Sequence, residues 1–185
     1  MKRKKNKRKL KKSILVLVEG ESEKIYLNSF KSSNIHLKPE LPKKSLQELY
    51  QYFKENLDKY DEIFWIVDLD VVIREGILNK FRDYKKNYPD KIIINNPCFE
   101  FWFVLHYELK NFDDKCEKVI SYLKHNFDEF KTYDKSEKEI EKIVKLLNGK
   151  LENAINNSKK RVCDFEYLMS CSEMFMLIER LQNDK

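Results

Sequence analysis

Glycine and long apolar runs are both scarce in this chain of 185 residues, and each scarcity excludes a class of protein. The only glycines, Gly20, Gly76 and Gly149, are too far apart to build a P-loop or a GxGxxG turn, so any ATP-driven step requires a partner protein. No apolar run approaches the ~20 residues of a membrane helix, and the one behind the basic first residues is too short for a signal peptide. We therefore expect a cytoplasmic protein without a membrane partner.

Cysteine is also scarce, and its spacing carries no metal or redox motif. The four cysteines, Cys98, Cys116, Cys163 and Cys171, form no CxxC pair and lie in otherwise apolar segments. This pattern is typical of reduced thiols in a protein core. The sequence therefore predicts neither a disulfide framework nor a zinc site.

Positive charge is concentrated at the start of the chain. Nine of the 37 basic residues occupy the first twelve positions, where no acid occurs, so that 28 basic residues face 31 acidic ones in the remainder. We interpret residues 1–12 as a flexible basic tail that binds nucleic-acid phosphates, with a solubilising leader as the alternative, and residues 13–185 as a single domain. The candidate phosphate-binding residues are Lys2, Arg3, Lys4, Lys5, Lys7, Arg8, Lys9, Lys11 and Lys12.

Short apolar runs alternate with helical patterns in the first half of the chain. Residues 14–18, 63–67 and 92–94 are unbroken apolar runs, which is typical of strands buried on both faces of a parallel sheet. Ser45 and Glu48 have the spacing of a capping box and begin a helix between the first two runs. The sequence therefore predicts an α/β fold with a central parallel sheet flanked by helices.

The second half shows helical spacing and predicts a helical C-terminal portion. Asn96 and Pro97 are interpreted as the start of a buried helix over residues 99–107. Two later helices are predicted to begin at capping boxes, one formed by Ser136 with Glu139 and one by Ser170 with Glu173, and Gly149 is predicted to end the first of them.

Acidic residues follow each of the three predicted parallel strands. Glu19 and Glu23 follow the first strand, Asp68 and Asp70 the second, and Glu100 the third. Because the carboxyl ends of parallel strands meet at one edge of a sheet, we expect these side chains to lie close together. An all-oxygen pocket of this kind suits Mg²⁺ or Mn²⁺.

Each acid also has a purely structural explanation. Asp70 can cap the helix that follows its strand, and Glu23 and Glu100 can serve as first-turn acids that interact with a helix dipole. Three acidic turns at three successive strand ends are harder to explain by capping than any one of them. We therefore favour a metal site, in which strand spacing points Asp68 and Asp70 the same way while Leu69 turns into the core.

The motifs around these acids resemble those of a known family. The turn at residues 18–24 is similar to the VEGxTE turn of TOPRIM domains in the overcoming-lysogenization-defect nucleases, and residues 68–70 resemble the DxD of the same domain. The resemblance to the RloB family is closer still and covers nearly the whole chain. It is carried by Asn96-Pro97-Cys98-Phe99-Glu100-Phe101-Trp102, by His106, by Tyr133-Asp134-Lys135 and by Ser170-Cys171-Ser172.

The resemblance implies a TOPRIM-like domain that acts as a nuclease in phage defence or abortive infection, together with an ATPase partner. The metal ligands that it implies are Glu19, Glu23, Asp68 and Asp70. Glu19 and Glu100 are predicted to be catalytic, and Lys135 is a candidate phosphate clamp. The predicted reaction is cleavage of a phosphodiester bond of DNA or RNA with Mg²⁺ or Mn²⁺. The choice of nucleic acid, the presence of one or two ions and the formation of a homo-oligomer stay open.

A function of a different class is the alternative. The chain could be a catalytically silent adaptor that binds nucleic acid through its tail and docks onto an ATPase. The discriminating observation is whether Glu19, Asp68 and Asp70 converge on one pocket of a size that suits a metal ion.

Overall fold

A five-stranded sheet organises the molecule. The computed structural model describes residues 11–112, 115–165 and 169–183, and within them the strand order is β2-β1-β3-β4-β5. Strands β1 to β4 are parallel to their neighbours, and β5 is antiparallel to β4. The predicted α/β class with a central parallel sheet is thus confirmed. The strands are β1 (Lys12–Leu17), β2 (Ile35–Glu40), β3 (Glu62–Asp68), β4 (Ile92–Asn96) and β5 (Cys171–Ser172).

Helices cover both faces of this sheet. The described residues form nine α-helices and two 3₁₀ turns, the latter at Asp128–Phe130 and Asn148–Lys150. The α-helices are α1 (Glu21–Asn28), α2 (Leu46–Glu55), α3 (Leu69–Arg74), α4 (Leu78–Asn87), α5 (Glu100–Leu105), α6 (Cys116–Asn126), α7 (Glu137–Leu147), α8 (Leu151–Ser158) and α9 (Met174–Asn183). None of the helices in these described parts has the length and apolar content of a membrane span.

Side chains on the two faces of the sheet belong to two separate apolar layers. In β1, Ile14 and Val16 belong to one buried cluster, whereas Leu15 and Leu17 belong to another, because successive side chains of a strand point to opposite faces. The first layer includes α5, a helix buried over its whole length, and the second includes residues of α2, α3 and α4. Burial on both faces explains why the central strands read as continuous apolar runs.

The edge strand β2 has a different pattern. Its residues alternate between buried and exposed from Ile35 to Lys38, and it pairs with β1 alone. Pro39 lies inside this strand. An edge strand tolerates proline because only one of its sides takes part in the ladder.

Helix starts were predicted with mixed success. Ser45 and Glu48 form the expected capping box at α2. Ser136 lies at the N-cap position of α7, but the Glu139 carboxylate accepts a hydrogen bond from Thr132 Oγ1 at 2.9 Å instead of closing a capping box. Gly149 follows the end of α7 as predicted, because this helix ends at Leu147 with Asn148 as its C-cap, and a 3₁₀ turn then leads into α8.

The predicted capping box of Ser170 and Glu173 is also wrong. Residues 171–172 form β5, and α9 begins only at Met174. The Ser170 hydroxyl instead accepts a hydrogen bond from Phe112 N–H at 2.7 Å, and the Glu173 carboxylate accepts one from Ile94 N–H at 3.0 Å. Both side chains therefore attach the C-terminal segment to the rest of the fold.

Candidate active site

The strand order creates a crevice at one end of the sheet. The chain leaves β1 for β2 on one side, and the later strand β3 adds on the other side of β1. Loops that leave two such neighbouring strands diverge, and ligands of open α/β sheets bind in the crevice between them. Glu19 follows β1, and Asp68 ends β3, so the fold places both acids at this crevice.

The turn after β1 brings the Glu23 carboxylate close to the backbone of Gly20. Gly20 is the N-cap residue of α1, and a Cβ at this position would lie 2.7 Å from Glu23 Oε2. A larger residue at this position would require the carboxylate of Glu23, which is buried, to shift. Ser22 lies inside the first turn of α1 and does not act as its cap.

The DxD segment reaches the crevice by a different geometry from the one predicted. Strand β3 ends at Asp68, and Leu69 already begins α3, so the expected strand spacing of the two acids is wrong. Leu69 is buried as expected. The Asp68 side chain makes no cap hydrogen bond to the described residues, and the Asp70 N–H donates to the Pro97 carbonyl at 3.1 Å. This last bond joins the turn after β3 to the loop after β4.

The loop after β4 places Glu100 at the same crevice as Glu19 and Asp68. The prediction that Asn96 caps a helix with Pro97 at its first position is wrong: Asn96 is the last residue of β4, and its peptide bond to Pro97 is cis. Pairing with β5 keeps Asn96 in the sheet, where it opposes Cys171. Helix α5 then begins at Glu100, which is 1% exposed.

Glu100 has a well-defined set of partners. Its Oε1 accepts a hydrogen bond from the Tyr133 hydroxyl at 3.0 Å and lies 2.7 Å from Lys135 Nζ. The Tyr133 hydroxyl also lies 3.3 Å from Ser22 Oγ, which connects this group to α1. Glu100 Oε2 lies 3.3 Å from Cys116 Sγ.

Lys135 supplies positive charge from an unusual backbone conformation. Its φ angle is 63°, in the left-handed region that non-glycine residues rarely occupy. Burial works against the ammonium charge, but the carboxylates of Glu100, Glu23 and Asp68 outweigh it and raise the pKa of Lys135. The side chain remains half exposed, so the ammonium lies between the buried acids and solvent.

Three other acids of the crevice have buried carboxylate oxygens without a hydrogen-bond partner among the described residues. Within the described structure, both carboxylate oxygens of Glu19 and one oxygen each of Asp68 and Asp70 are buried without a hydrogen-bond partner. Burial, reinforced by neighbouring carboxylates, raises the pKa of Glu19 and of Asp68 well above the ordinary range, and burial raises the pKa of Asp70. Burial, followed by the Glu100 carboxylate, raises the pKa of Glu23 to about 7.

These acids line one cleft with a volume of about 690 Å³. Glu19, Glu23, Asp68, Asp70 and Glu100 all contribute to its wall, so the predicted site residues of the three strand ends are brought together. Unpaired buried carboxylate oxygens are costly unless a cation meets them, and oxygen donors suit Mg²⁺ or Mn²⁺. The chemistry of these donors suits a hard divalent cation, although no three of their carboxylates place oxygens within 4.8 Å of one another in the described structure.

Comparison with known proteins identifies the family of this chain. A family model described as RloB-like protein matches residues 14–181. The chain belongs to the RloB-like family. Searches of the curated proteins and of the solved structures found no match. The six residues predicted as metal ligands or catalytic groups lie inside the matched segment of this RloB-like chain, whereas its basic first twelve residues precede the segment.

Several residues of the RloB-like cleft were missed in the sequence. Ser22, Lys44, Arg74 and Glu75 line it, and the Ser22 Oγ atom also lies 3.3 Å from the Tyr133 hydroxyl. Arg74 lies four residues after Asp70 in the short helix α3, which the sequence did not predict, and the Arg74 charge counteracts the raised pKa of Asp70. The i,i+4 spacing of an acid and a base was the available signal.

The cysteines of the RloB-like chain differ from expectation. All four are paired, Cys98 with Cys116 and Cys163 with Cys171, so the prediction of reduced core thiols is wrong for this structure. The spacing of the cysteines along the chain does not show which of them lie close together in the fold. Packing of α5 against α6 brings Cys98 and Cys116 together, and both line the acidic cleft.

The predicted nucleic-acid-binding tail is only partly within the described structure. Residues 2–9 lie outside the described residues, and Lys11 is exposed. Lys12 is the first residue of β1 rather than part of a tail, and its Nζ lies 3.0 Å from Glu62 Oε1. It therefore lies at the amino end of β1, whereas Glu19 follows the carboxyl end of the same strand.

Proposed function

We propose that this RloB-like chain is a magnesium-dependent nuclease that cleaves a phosphodiester bond of DNA or RNA. The observation that carries the proposal is the group of buried, unpartnered carboxylate oxygens of Glu19, Asp68 and Asp70 within the described residues. Burial is the main cause of the raised pKa values of these three acids, so a bound cation would stabilise their ionised forms. Mg²⁺ or Mn²⁺, when bound, neutralises phosphate oxygens and lowers the pKa of the attacking water.

The acids supply both cation ligands and a proton acceptor in this proposal, and Glu19 has both roles. Glu19, Glu23, Asp68 and Asp70 would hold the cation, since all four line the cleft. Burial and the neighbouring carboxylates raise the pKa of Glu19, which increases its proton affinity, and one of its Oε atoms would take the proton lost by the attacking water.

Lys135 acts on the phosphate in this proposal. Its half-exposed ammonium borders the cleft and is held 2.7 Å from Glu100 Oε1. A cation fixed in this way can bind a non-bridging phosphate oxygen as negative charge develops there. Glu100 thus serves mainly to orient Lys135, with Tyr133 fixing the same carboxylate oxygen.

The wider setting follows from the family resemblance and the charge pattern. We propose that the protein acts in the cytoplasm in phage defence or abortive infection, with nucleic acid as its substrate. The basic first twelve residues would add sequence-independent phosphate contacts. We also propose an ATPase partner, which would supply any ATP-driven step, since the three glycines of the chain build no P-loop.

Cleavage assays with a matched pair of aspartate variants test the proposal. Purified protein, alone or with its ATPase partner, should cut DNA or RNA with Mg²⁺ or Mn²⁺ and stop with chelator. Asp68→Asn should abolish cutting while its melting temperature stays the same or rises, because removal of one crowded carboxylate relieves repulsion. Asp61→Asn is the control: it removes the same charge beside the opposite end of β3, where Asp61 Oδ2 accepts a hydrogen bond from Ser13 N–H at 2.7 Å.

The outcome separates the two classes of function. Cleavage that persists in the Asp68→Asn protein would remove the acidic cleft from the chemistry. Absence of cleavage by the wild type on every substrate, together with retained nucleic-acid binding, would favour the catalytically silent adaptor.

A further inference from the structure

Two sulfur atoms and a carboxylate meet at one side of the acidic cleft. Cys98 lies in the loop before α5, Glu100 is the first residue of α5, and Cys116 is the first residue of α6. One ligand atom from each lies within 4.8 Å of the other two. The residues come from two helix starts that pack together, so the cluster depends on the fold and not on a local sequence motif.

The contact between Glu100 and Cys116 is incomplete in the oxidised chain. Glu100 Oε1 is engaged by Tyr133 and Lys135, whereas Oε2 lies 3.3 Å from Cys116 Sγ. A disulfide sulfur carries no proton, so this contact gives the buried oxygen no donor, and such an oxygen is costly. The same contact becomes favourable if Cys116 is a thiol that donates to Oε2, or if both atoms bind one cation.

We propose that reduction of the Cys98–Cys116 disulfide creates a site for a thiophilic divalent cation, with Zn²⁺ as the natural occupant. A dithiol reductant transfers two electrons: the Cys98–Cys116 bond breaks, a disulfide forms in the reductant, and two thiols remain on the protein. Each thiol then releases its proton to solvent as the cation binds. Thiolates select Zn²⁺ over Mg²⁺, and three protein ligands leave the fourth tetrahedral position open.

The proposed site shares Glu100 with the acidic cleft. Occupation would draw Glu100 Oε2 toward the sulfurs, on the side of the carboxylate opposite Lys135. On the proposed nuclease function, the redox state of Cys98 and Cys116 would thereby change how Lys135 is held. Cation binding itself does not depend on that function.

Cobalt serves as the probe, because Co²⁺ bound to thiolates absorbs in the near ultraviolet by sulfur-to-metal charge transfer. The full chain is reduced with a phosphine, freed of reductant without oxygen and titrated with Co²⁺. We expect a charge-transfer band that saturates at one Co²⁺ per chain, is displaced by Zn²⁺ and is absent from the oxidised chain. Glu100→Gln should weaken binding on the order of tenfold or more while keeping the band.

The second disulfide provides the matched control. Cys163 lies in the other apolar layer, where its Sγ is 3.9 Å from the Ile94 carbonyl oxygen. Cys116→Ser should lose the band, and Cys163→Ser should keep it. A natively folded reduced wild type without the band overturns the proposal, as does a band that survives in Cys116→Ser or a reduced chain that loses its helical circular dichroism. Because no nucleic acid is present, failure here leaves the nuclease proposal unaffected.

Discussion

Stability of the protein without metal should depend on pH through Glu23. Its side chain is 4% exposed, and burial together with the Glu100 carboxylate raises its pKa from the ordinary 4.5 to about 7. The folded state therefore holds the Glu23 proton at pH values where the unfolded chain has released it. Its contribution to stability is fully present below pH 4.5, is lost as pH rises toward about 7, and stays lost above that.

The size of this effect follows from the pKa difference. One pKa unit corresponds to ~1.4 kcal/mol, so a change from 4.5 to about 7 corresponds to a loss of about 3 kcal/mol. Glu23→Gln removes the titrating group while keeping the size of the side chain. The variant should match the wild type near pH 4.5 and exceed it by about 3 kcal/mol above pH 7.

Urea unfolding at closely spaced pH values, with chelator present, measures this difference. Glu21→Gln is the control, because Glu21 lies in the same first turn of α1 but is exposed and pairs with Lys24. Its unfolding free energy should follow the wild type at every pH. Parallel curves for wild type and Glu23→Gln would refute the reasoning, since they would mean that Glu23 titrates alike in the folded and unfolded states.

Two further predictions concern the cleft and the tail. Gly20→Ala should displace the Glu23 carboxylate and lower Mn²⁺ affinity, measured by calorimetry, on the order of tenfold; Gly149→Ala, whose added Cβ has open space, should bind Mn²⁺ normally. Removal of residues 2–9 should weaken nucleic-acid binding for all sequences alike and reduce the log–log salt slope by about 0.9 for each lost phosphate contact. An unchanged Mn²⁺ affinity or an unchanged slope would contradict the respective prediction.

The central strands could be predicted because their environment leaves a strong signal. Strands buried on both faces must be apolar at every position, as residues 14–17 and 92–94 are. Parallel pairing then brings the carboxyl ends of β1 and β3 to one edge, so Glu19 and Asp68 could be placed together from the sequence. Both inferences depend on the pattern of apolar residues and on the direction of the chain, and both can be read from the sequence.

The features that escaped prediction depend on contacts between distant segments. Strand β5 has only two residues, and its pairing with β4 cannot be inferred from so short a segment. Helix α3 begins directly at the end of β3, which leaves no turn signal between the elements. The pairing of Cys98 with Cys116 follows from the packing of α5 on α6, across 18 positions of sequence.

Lys135 and Glu100 depart most clearly from the usual preferences for backbone conformation and for burial of charge. These two residues contact each other. A left-handed backbone costs a non-glycine residue about 1–2 kcal/mol, and a buried carboxylate is costly unless a positive charge meets it. The ammonium of Lys135 reduces the cost of burying Glu100, and Glu100 in turn fixes the ammonium 2.7 Å away at the edge of the cleft. Glycine at position 135 would relieve the backbone but remove the charge. The contact with the Glu100 carboxylate therefore explains the unfavourable backbone conformation of Lys135. Conformational propensity alone could not predict this part of the cleft.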